Sequence, residues 1–291
     1  MAKSAFVAVV GRPSAGKSTL VNALCGGKVS IVSPVPQTTR NAVRGILNRP
    51  EGQLVLLDTP GFHISEKKLN KRLGDVARGT FGDADIILYL LDSTRSPGME
   101  EEAIVEALKP VSKLVVAAIN KVDAKEGRPD ATRAFIASHL PESPILLISA
   151  LARSGLEELL ALLFSRAVEG PAWYPEEYYT DQEPVFRIAE IIREKVMLHT
   201  REELPHAIYV AYEDSTRFKD GSLEASYDLV VERDSQKGIL IGKAGSMIKR
   251  IREESEADLA ELFDYEIRLR LKVRVDPDWR SDDKRLKELI F

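Results

Sequence analysis

Cysteine is almost missing from this 291-residue chain: it has one, Cys25. No disulfide can close within it, and the composition fits a reducing compartment. Aromatic residues are few, at 7%. Apolar runs are short, and none reaches the roughly 18 residues of a membrane-spanning helix. No excess of positive charge exists either. Lys and Arg number 41 against 45 Asp and Glu, a formal net charge of −4, so any nucleic-acid site has to be local rather than global. Internal repeats and low-complexity tracts are missing as well. What remains is a soluble globular profile, 44% hydrophobic and 30% charged, long enough for two domains at about 150 residues each. The opening MAKSAFVAVV runs straight into Gly11, so it reads as a first strand rather than a cleaved leader. Cys25 follows Leu20, Val21, Ala23 and Leu24, which places its thiol in the core.

Through about residue 165, short apolar runs alternate with amphipathic stretches. The runs 6–10, 54–57, 86–91, 114–119 and 144–148 read as parallel strands buried on both faces. Residues 99–108 and 133–140 read as covering helices. The expected fold is a mostly parallel, doubly wound α/β domain over 1–168, with its ligand at the carboxyl ends of the strands. Residues 169–184 carry Gly170, Pro171, Pro175 and Pro184 around Trp173, Tyr174, Tyr178 and Tyr179. They read as an ordered linker whose aromatics pack rather than stack on bases. From 185 to 291 the order is helix, strands 208–212 and 223–231, a turn at Lys237-Gly238, one helix through Arg252, another near 259–263, and a strand 267–275. This is a smaller α+β domain.

Gly11-Arg12-Pro13-Ser14-Ala15-Gly16-Lys17-Ser18 matches G-x-x-x-x-G-K-[ST]. Such a loop at a helix N-terminus turns backbone N–H groups onto phosphates. Lys17 adds a charge on the outer phosphates, Ser18 offers a hydroxyl to Mg²⁺, and Thr19 follows on the helix. The loop specifies a nucleoside triphosphate without naming the base. Asn120-Lys121-Val122-Asp123, at the end of a strand, supplies that choice. The Asp123 carboxylate accepts from the ring N–H and amino group of guanine, and adenine would leave it unpaired. Asn120 is placed to tie the base loop to the phosphate loop. Ser149-Ala150 weakly matches a second base-contacting loop.

Asp58-Thr59-Pro60-Gly61 follows another strand. Asp58 is a candidate for the Mg²⁺ shell, and the Gly61 N–H for the γ-phosphate. In PVPQTTR, residues 34–40, Thr39 or Thr38 would complete the metal shell in the triphosphate state, with Thr39 preferred. These four segments in this order resemble the translation-factor-like regulatory GTPases. Where many of those carry a water-orienting glutamine, this chain has Phe62. No general base is assigned, and His63 reads as a loop residue. The residues expected to act on GTP are Lys17, Thr39 and Gly61.

In the second domain, Gly242-Lys243-Ala244-Gly245 fits the G-x-x-G loop of a KH domain, whose glycines let backbone approach a sugar-phosphate. Lys237, Lys243, Lys249, Arg250 and Arg252 fall in a stretch, 235–252, that holds no acid, a local basic patch for RNA. Arg268, Arg270, Lys272 and Arg274 form a second basic row on the last strand. Glu224, Asp228 and Glu232 are its expected cross-strand partners.

GRPSAGKSTLVNAL, PQTTR, DTPGFH, NKVD, YPEEYYTD followed by EIIREKVM, VVERD, IGKAG and DPDWRSDDKRL together resemble the bacterial Era GTPases across nearly the whole length. That resemblance implies a GTPase joined to a KH domain, binding GTP or GDP with Mg²⁺. It implies contact between residues 242–245 with the following helix and the 3′ end of 16S ribosomal RNA, assistance in 30S ribosomal subunit assembly, and a monomer in the cytoplasm with some peripheral contact at the inner face of the cell membrane. Ser14 replaces the asparagine of potassium-stimulated relatives, which speaks against K⁺. Two other classes stay open on the residues alone. One is a metabolic P-loop kinase or ATPase, against which NKVD and the second domain argue. The other is an RNA-binding scaffold with a structural nucleotide site.

Overall fold

The structure is a computed structural model that describes residues 2–61, 79 and 84–282. Expectations for Phe62, His63 and the end of DPDWRSDDKRL lie outside the described residues. The chain forms two compact units: but for residues 33–35, the first runs to Asp181 and the second starts at Gln182.

The first unit is built on β1 (Lys3–Val10), β2 (Val43–Arg49), β3 (Gly52–Asp58), β4 (Ile86–Asp92), β5 (Val115–Asn120) and β6 (Ile145–Leu147), in spatial order β2-β3-β1-β4-β5-β6 among the described residues. β7 (Val168–Glu169) pairs antiparallel with the start of β1. All seven residues of β4 are buried. A continuous apolar run of that kind belongs to a strand covered on both faces, and each buried Leu or Ile contributes about 1.5–3 kcal/mol. The covering helices are α1 (Lys17–Cys25), α2 (Met99–Leu108), α3 (Pro129–His139) and α4 (Leu156–Arg166). Ile104, Val105 and Leu108 of α2 pack on Tyr89 and Leu91 of β4.

β2 was not among the expected strands. It is antiparallel to β3 at the sheet edge, and Arg44, Gly45 and Asn48 break up its apolar pattern. Its packing is nonetheless close, because a Cβ on Gly45 would lie 2.7 Å from the Cys25 thiol and 2.8 Å from Val21. Burial pushes that thiol up to about 12. Residues 169–181 lie along the first unit: Trp173 packs against Phe6 with centroids 4.5 Å apart and the rings tilted by 43°, and Thr180 bridges Gly45.

The second unit holds α5 (Pro184–His199), β8 (Ile208–Arg217), β9 (Leu223–Val231), α6 (Asp234–Ile241), α7 (Ser246–Leu262) and β10 (Ile267–Val275). The sheet order is β10-β9-β8, with β10 parallel and β8 antiparallel to β9. Two expectations need correction. Lys237-Gly238 is no turn but lies inside α6, which Leu240, its one fully buried side chain, anchors and whose start is capped by Gln236, its side-chain oxygen accepting from the Glu232 and Arg233 N–H groups. The two helices expected through Arg252 and near 259–263 are one, α7. Its buried stripe is Ile251, Ser255 and Leu259 at helical spacing, with the Ser255 hydroxyl satisfied by the Ile251 carbonyl.

Candidate functional site

Strand order changes direction at β1, which lies between β3 and β4, and α/β folds bind ligands beside such a point. Gly11, Asp58, Asp92, Asn120 and Ser149 stand at the carboxyl ends of β1, β3, β4 and β5 or just after β6. At the N-terminus of α1, Gly16 has φ 96°, and a Cβ there would meet the Asn120 amide at 2.4 Å. Only glycine fits. Ser14 has φ 65°, a strained setting that costs about 1–3 kcal/mol for a non-glycine residue. The Lys17 ammonium donates to the Gly11 and Arg12 carbonyls at 3.1 and 3.2 Å. Burial lowers its pKa to about 8, against the pull of Asp58.

Asp58 is fully buried, and among the described residues neither carboxylate oxygen has a partner of good hydrogen-bond geometry. Its pKa is raised by burial, with Lys17 and the nearby Ser30, Ser18 and Thr39 hydroxyls pulling the other way. The Ser18 and Thr39 hydroxyls lie 2.9 Å apart, so Thr39 is the threonine brought to Ser18. Buried unpaired carboxylate beside two hydroxyls is an oxygen donor set that suits a hard divalent cation. The Thr59 hydroxyl donates to Val9 O at 2.8 Å, holding the loop to β1. Gly61 comes against the phosphate loop: a Cβ would lie 2.8 Å from Pro13 Cα and N.

The base segment is assembled from three loops. Asn120 donates to Ala15 O and accepts from Ala150 N, both at 2.9 Å. Val122 N donates to Ile148 O at 3.3 Å, and Ser149 Oγ accepts from Ala152 N. Lys121 has φ 64°, and Asp123 is exposed.

Two residue groups escaped sequence reasoning. Asp92, the last residue of β4, and Ser93 bond to Lys121: Asp92 Oδ2 accepts from Nζ at 2.8 Å and Ser93 Oγ donates to the carbonyl at 3.0 Å. Their place at a strand end was the available signal. The second is Glu101 of α2: Arg12, expected in the phosphate loop, pairs its guanidinium with this carboxylate at 2.9 Å with both side chains buried. Among the described residues Arg12 Nε and Nη2 lack partners, as does the buried Tyr89 hydroxyl, whose pKa is raised by burial and by Glu101. Nothing in the sequence marks this long-range pair.

In the second unit, residues 243–245 form a 3₁₀ turn between α6 and α7. Gly242, Ala244 and Gly245 have φ of 70°, 52° and 78°, and a Cβ on Gly242 would meet Met247 N at 2.8 Å. The stretch 235–252 holds no acid, but its bases meet acids from just beyond it. Glu253 and Glu254, one turn on, pair with Lys249 at 3.8 Å and Arg250 at 2.8 Å. On β10, Arg270 pairs with Glu224 and Arg274 with Asp228, as expected. Glu232 instead takes Arg280.

A phosphate loop at the head of a doubly wound sheet, followed by a unit with a G-x-x-G turn between helices, defines a P-loop GTPase carrying a KH domain. A family model described as "50S ribosome-binding GTPase" matches residues 6–121, and one for the KH domain matches 203–280. The chain is 48% identical over 292 residues to GTPase Era of Treponema denticola, covering 99% of each. Among solved structures it resembles a variant of Aquifex aeolicus Era bound to GDP·AlF4⁻, at 35% identity and TM-score 0.93, covering 99% of this chain and 98% of that one. It also resembles Era in complex with MgGDPNP and nucleotides 1506–1542 of 16S ribosomal RNA, at 34% identity and TM-score 0.94, covering 99% of each chain. The chain belongs to the Era family of GTPases.

Proposed function

We propose that this chain binds GTP and GDP with Mg²⁺, hydrolyses GTP, and uses its nucleotide state to set its affinity for the 3′ end region of 16S ribosomal RNA during 30S subunit assembly. The GTPase domain is assigned to 1–168, the linker to 169–184 and the KH domain to 185–291. The observation that carries the reading is the fully buried Asp58 carboxylate, unpaired beside Lys17 and the Ser18–Thr39 hydroxyl pair. Ser18, Thr39 and Asp58 would hold the metal, Asp58 through water. When bound, Mg²⁺ neutralises charge on the phosphate oxygens and orients them.

Residues 11–19 would wrap the phosphates with backbone N–H groups, and Lys17 would leave its two carbonyl acceptors for the phosphoryl oxygens. Its lowered pKa reflects burial, the condition under which a charge–charge contact is strong. The Gly61 N–H would meet the γ-phosphate, so that residues 33–40 and 58–66, of which 62–66 lie outside the described residues, would respond to its loss. Asp123 would accept from guanine, with Asn120, Lys121, Ser149 and Ala150 framing the base. Residues 242–245, Lys249 and Arg250 would contact RNA, a reading supported by the relative solved with a 16S fragment. Cytoplasmic location, with peripheral contact at the membrane, and a monomeric state belong to the same proposal. Ser14 argues against a potassium requirement.

Calorimetric titration of GTP, GDP and ATP, with and without an oligonucleotide matching the 16S 3′ end, tests this. Binding of guanine nucleotides alone, with RNA held more tightly in the GTP-analogue form, is the expected result. Equal competition by ATP overturns the role of Asp123. RNA binding indifferent to nucleotide leaves two joined modules without the switch.

A further inference from the structure

Asp92 is nearly fully buried, at 2% side-chain exposure, and both of its oxygens are committed. Oδ1 accepts from the Thr94 N–H at 2.9 Å and from the Thr94 hydroxyl at 2.6 Å. Oδ2 accepts from the Lys121 ammonium at 2.8 Å. Burial alone would raise its pKa. The Lys121 and Thr94 bonds outweigh that and lower it, so the carboxylate is charged where it meets the ammonium. A carboxylate needed only to close its own turn is satisfied by Thr94. The second oxygen is spent on a side chain of the base segment.

The surrounding bonds have the same target. Asp92 and Asn120 are register partners at the ends of β4 and β5. Ser93 N donates to Asn120 O at 3.0 Å and Ser93 Oγ to Lys121 O at 3.0 Å, while Arg128 N returns to Ser93 O at 2.7 Å. Lys121 holds a left-handed backbone, φ 64°, that a lysine seldom adopts unaided. Residues 92–94 therefore form a template on which 120–128 is moulded, fixing Lys121 at both its backbone and its charged tip. Between those two anchors lies a four-carbon stem, an apolar rod within the segment proposed to read the base.

We propose that Asp92 is a positioning residue for guanine-nucleotide binding: by pinning the Lys121 ammonium it preorganises the Lys121 stem as a wall for the purine ring. This rests on the reading of 120–123 as the guanine segment. Preorganisation raises affinity because the ordering is complete before the ligand arrives.

The test is a double-mutant cycle on the full chain, with GDP affinity measured by titration for the wild type, Asp92→Asn, Lys121→Ala and the double variant. If Asp92 acts through Lys121, each single change weakens GDP about tenfold and the double also about tenfold, since residues acting as a unit are not additive. A merely structural Asp92 would weaken binding on top of the Lys121→Ala loss, toward about a hundredfold, and that result overturns the inference. So does a wild-type affinity for Asp92→Asn beside a weakened Lys121→Ala. Wild-type affinity for Lys121→Ala would instead sink the guanine reading of the segment, and the inference with it. Should Asp92→Asn not fold, Asp92→Glu, which carries the charge one methylene too far, takes its place in the same cycle.

Discussion

The Asn120 side-chain amide donates to the Ala15 carbonyl at 2.9 Å, joining residues 105 positions apart. Its oxygen simultaneously accepts from Ala150 N, so one carboxamide clamps the phosphate loop to both base loops. All three groups are buried. Asn120→Ala would strand a carbonyl and an N–H, at about 1–3 kcal/mol each. A melting temperature lowered by several degrees and a GDP affinity weakened at least tenfold are expected, by thermal denaturation and calorimetry. A variant matching the wild type in both would show that the clamp is dispensable.

The Arg12–Glu101 pair joins the phosphate loop to the first turn of α2, where Glu101 also accepts from Gly98 N at 3.1 Å. Glu101→Gln removes the counter-charge from a buried guanidinium two of whose nitrogens have no partner among the described residues. Breaking one side of such a pair costs about 3–5 kcal/mol. Replacing both partners by apolar residues, Arg12→Met with Glu101→Leu, should recover most of that loss in urea denaturation. Equal losses for the single and double variants would mean that packing volume, not charge, governs the contact.

These pairs also mark how far the sequence could be read. The parallel strands were legible because residues buried on two faces leave unbroken apolar runs, as in 86–91. The candidate nucleotide loops were legible because the phosphate loop needs glycines at fixed spacing and Asn120-Lys121-Val122-Asp123 ends a strand. β2 was not, since an edge strand needs only part of its pattern to be apolar. α7 looked like two helices because Glu253, Glu254 and Ser255 interrupt its apolar residues, while Ser255 is in fact the middle of the buried stripe. Arg12–Glu101 and Asp92–Lys121 join ordinary residue types far apart in the chain, and only the folded topology brings them together.

Cys25 gives a pH dependence with a definite sign. Burial raises its thiol from 9.0 to about 12. Above pH 9 the unfolded chain releases this proton while the folded chain keeps it, so stability falls as pH rises, by up to about 1.4 kcal/mol per unit. Below pH 9 the contribution is fully present. Denaturation of the wild type and Cys25→Ala at pH 8 and 10.5 should show the wild type losing more stability of the two. Parallel losses would place the thiol in contact with water.

Arg250 stands on α7 beside the G-x-x-G turn, yet its Nε is bonded to Glu254 at 2.8 Å. Glu254 also takes His199 of α5, and together the two bonds hold its pKa down. On the proposed reading of Arg250 as an RNA contact, a phosphate would compete with this carboxylate for it, and the acid itself would repel the phosphate. Glu254→Gln removes both obstacles at once. The affinity for a 16S 3′-end oligonucleotide should rise about two- to fivefold at low salt, with the gain shrinking as salt screens the exchange. Arg250→Gln should weaken binding and cancel most of the gain in the double variant. An unchanged affinity for Glu254→Gln would mean that Arg250 does not reach the RNA, and that the turn and Lys249 carry the contact without it.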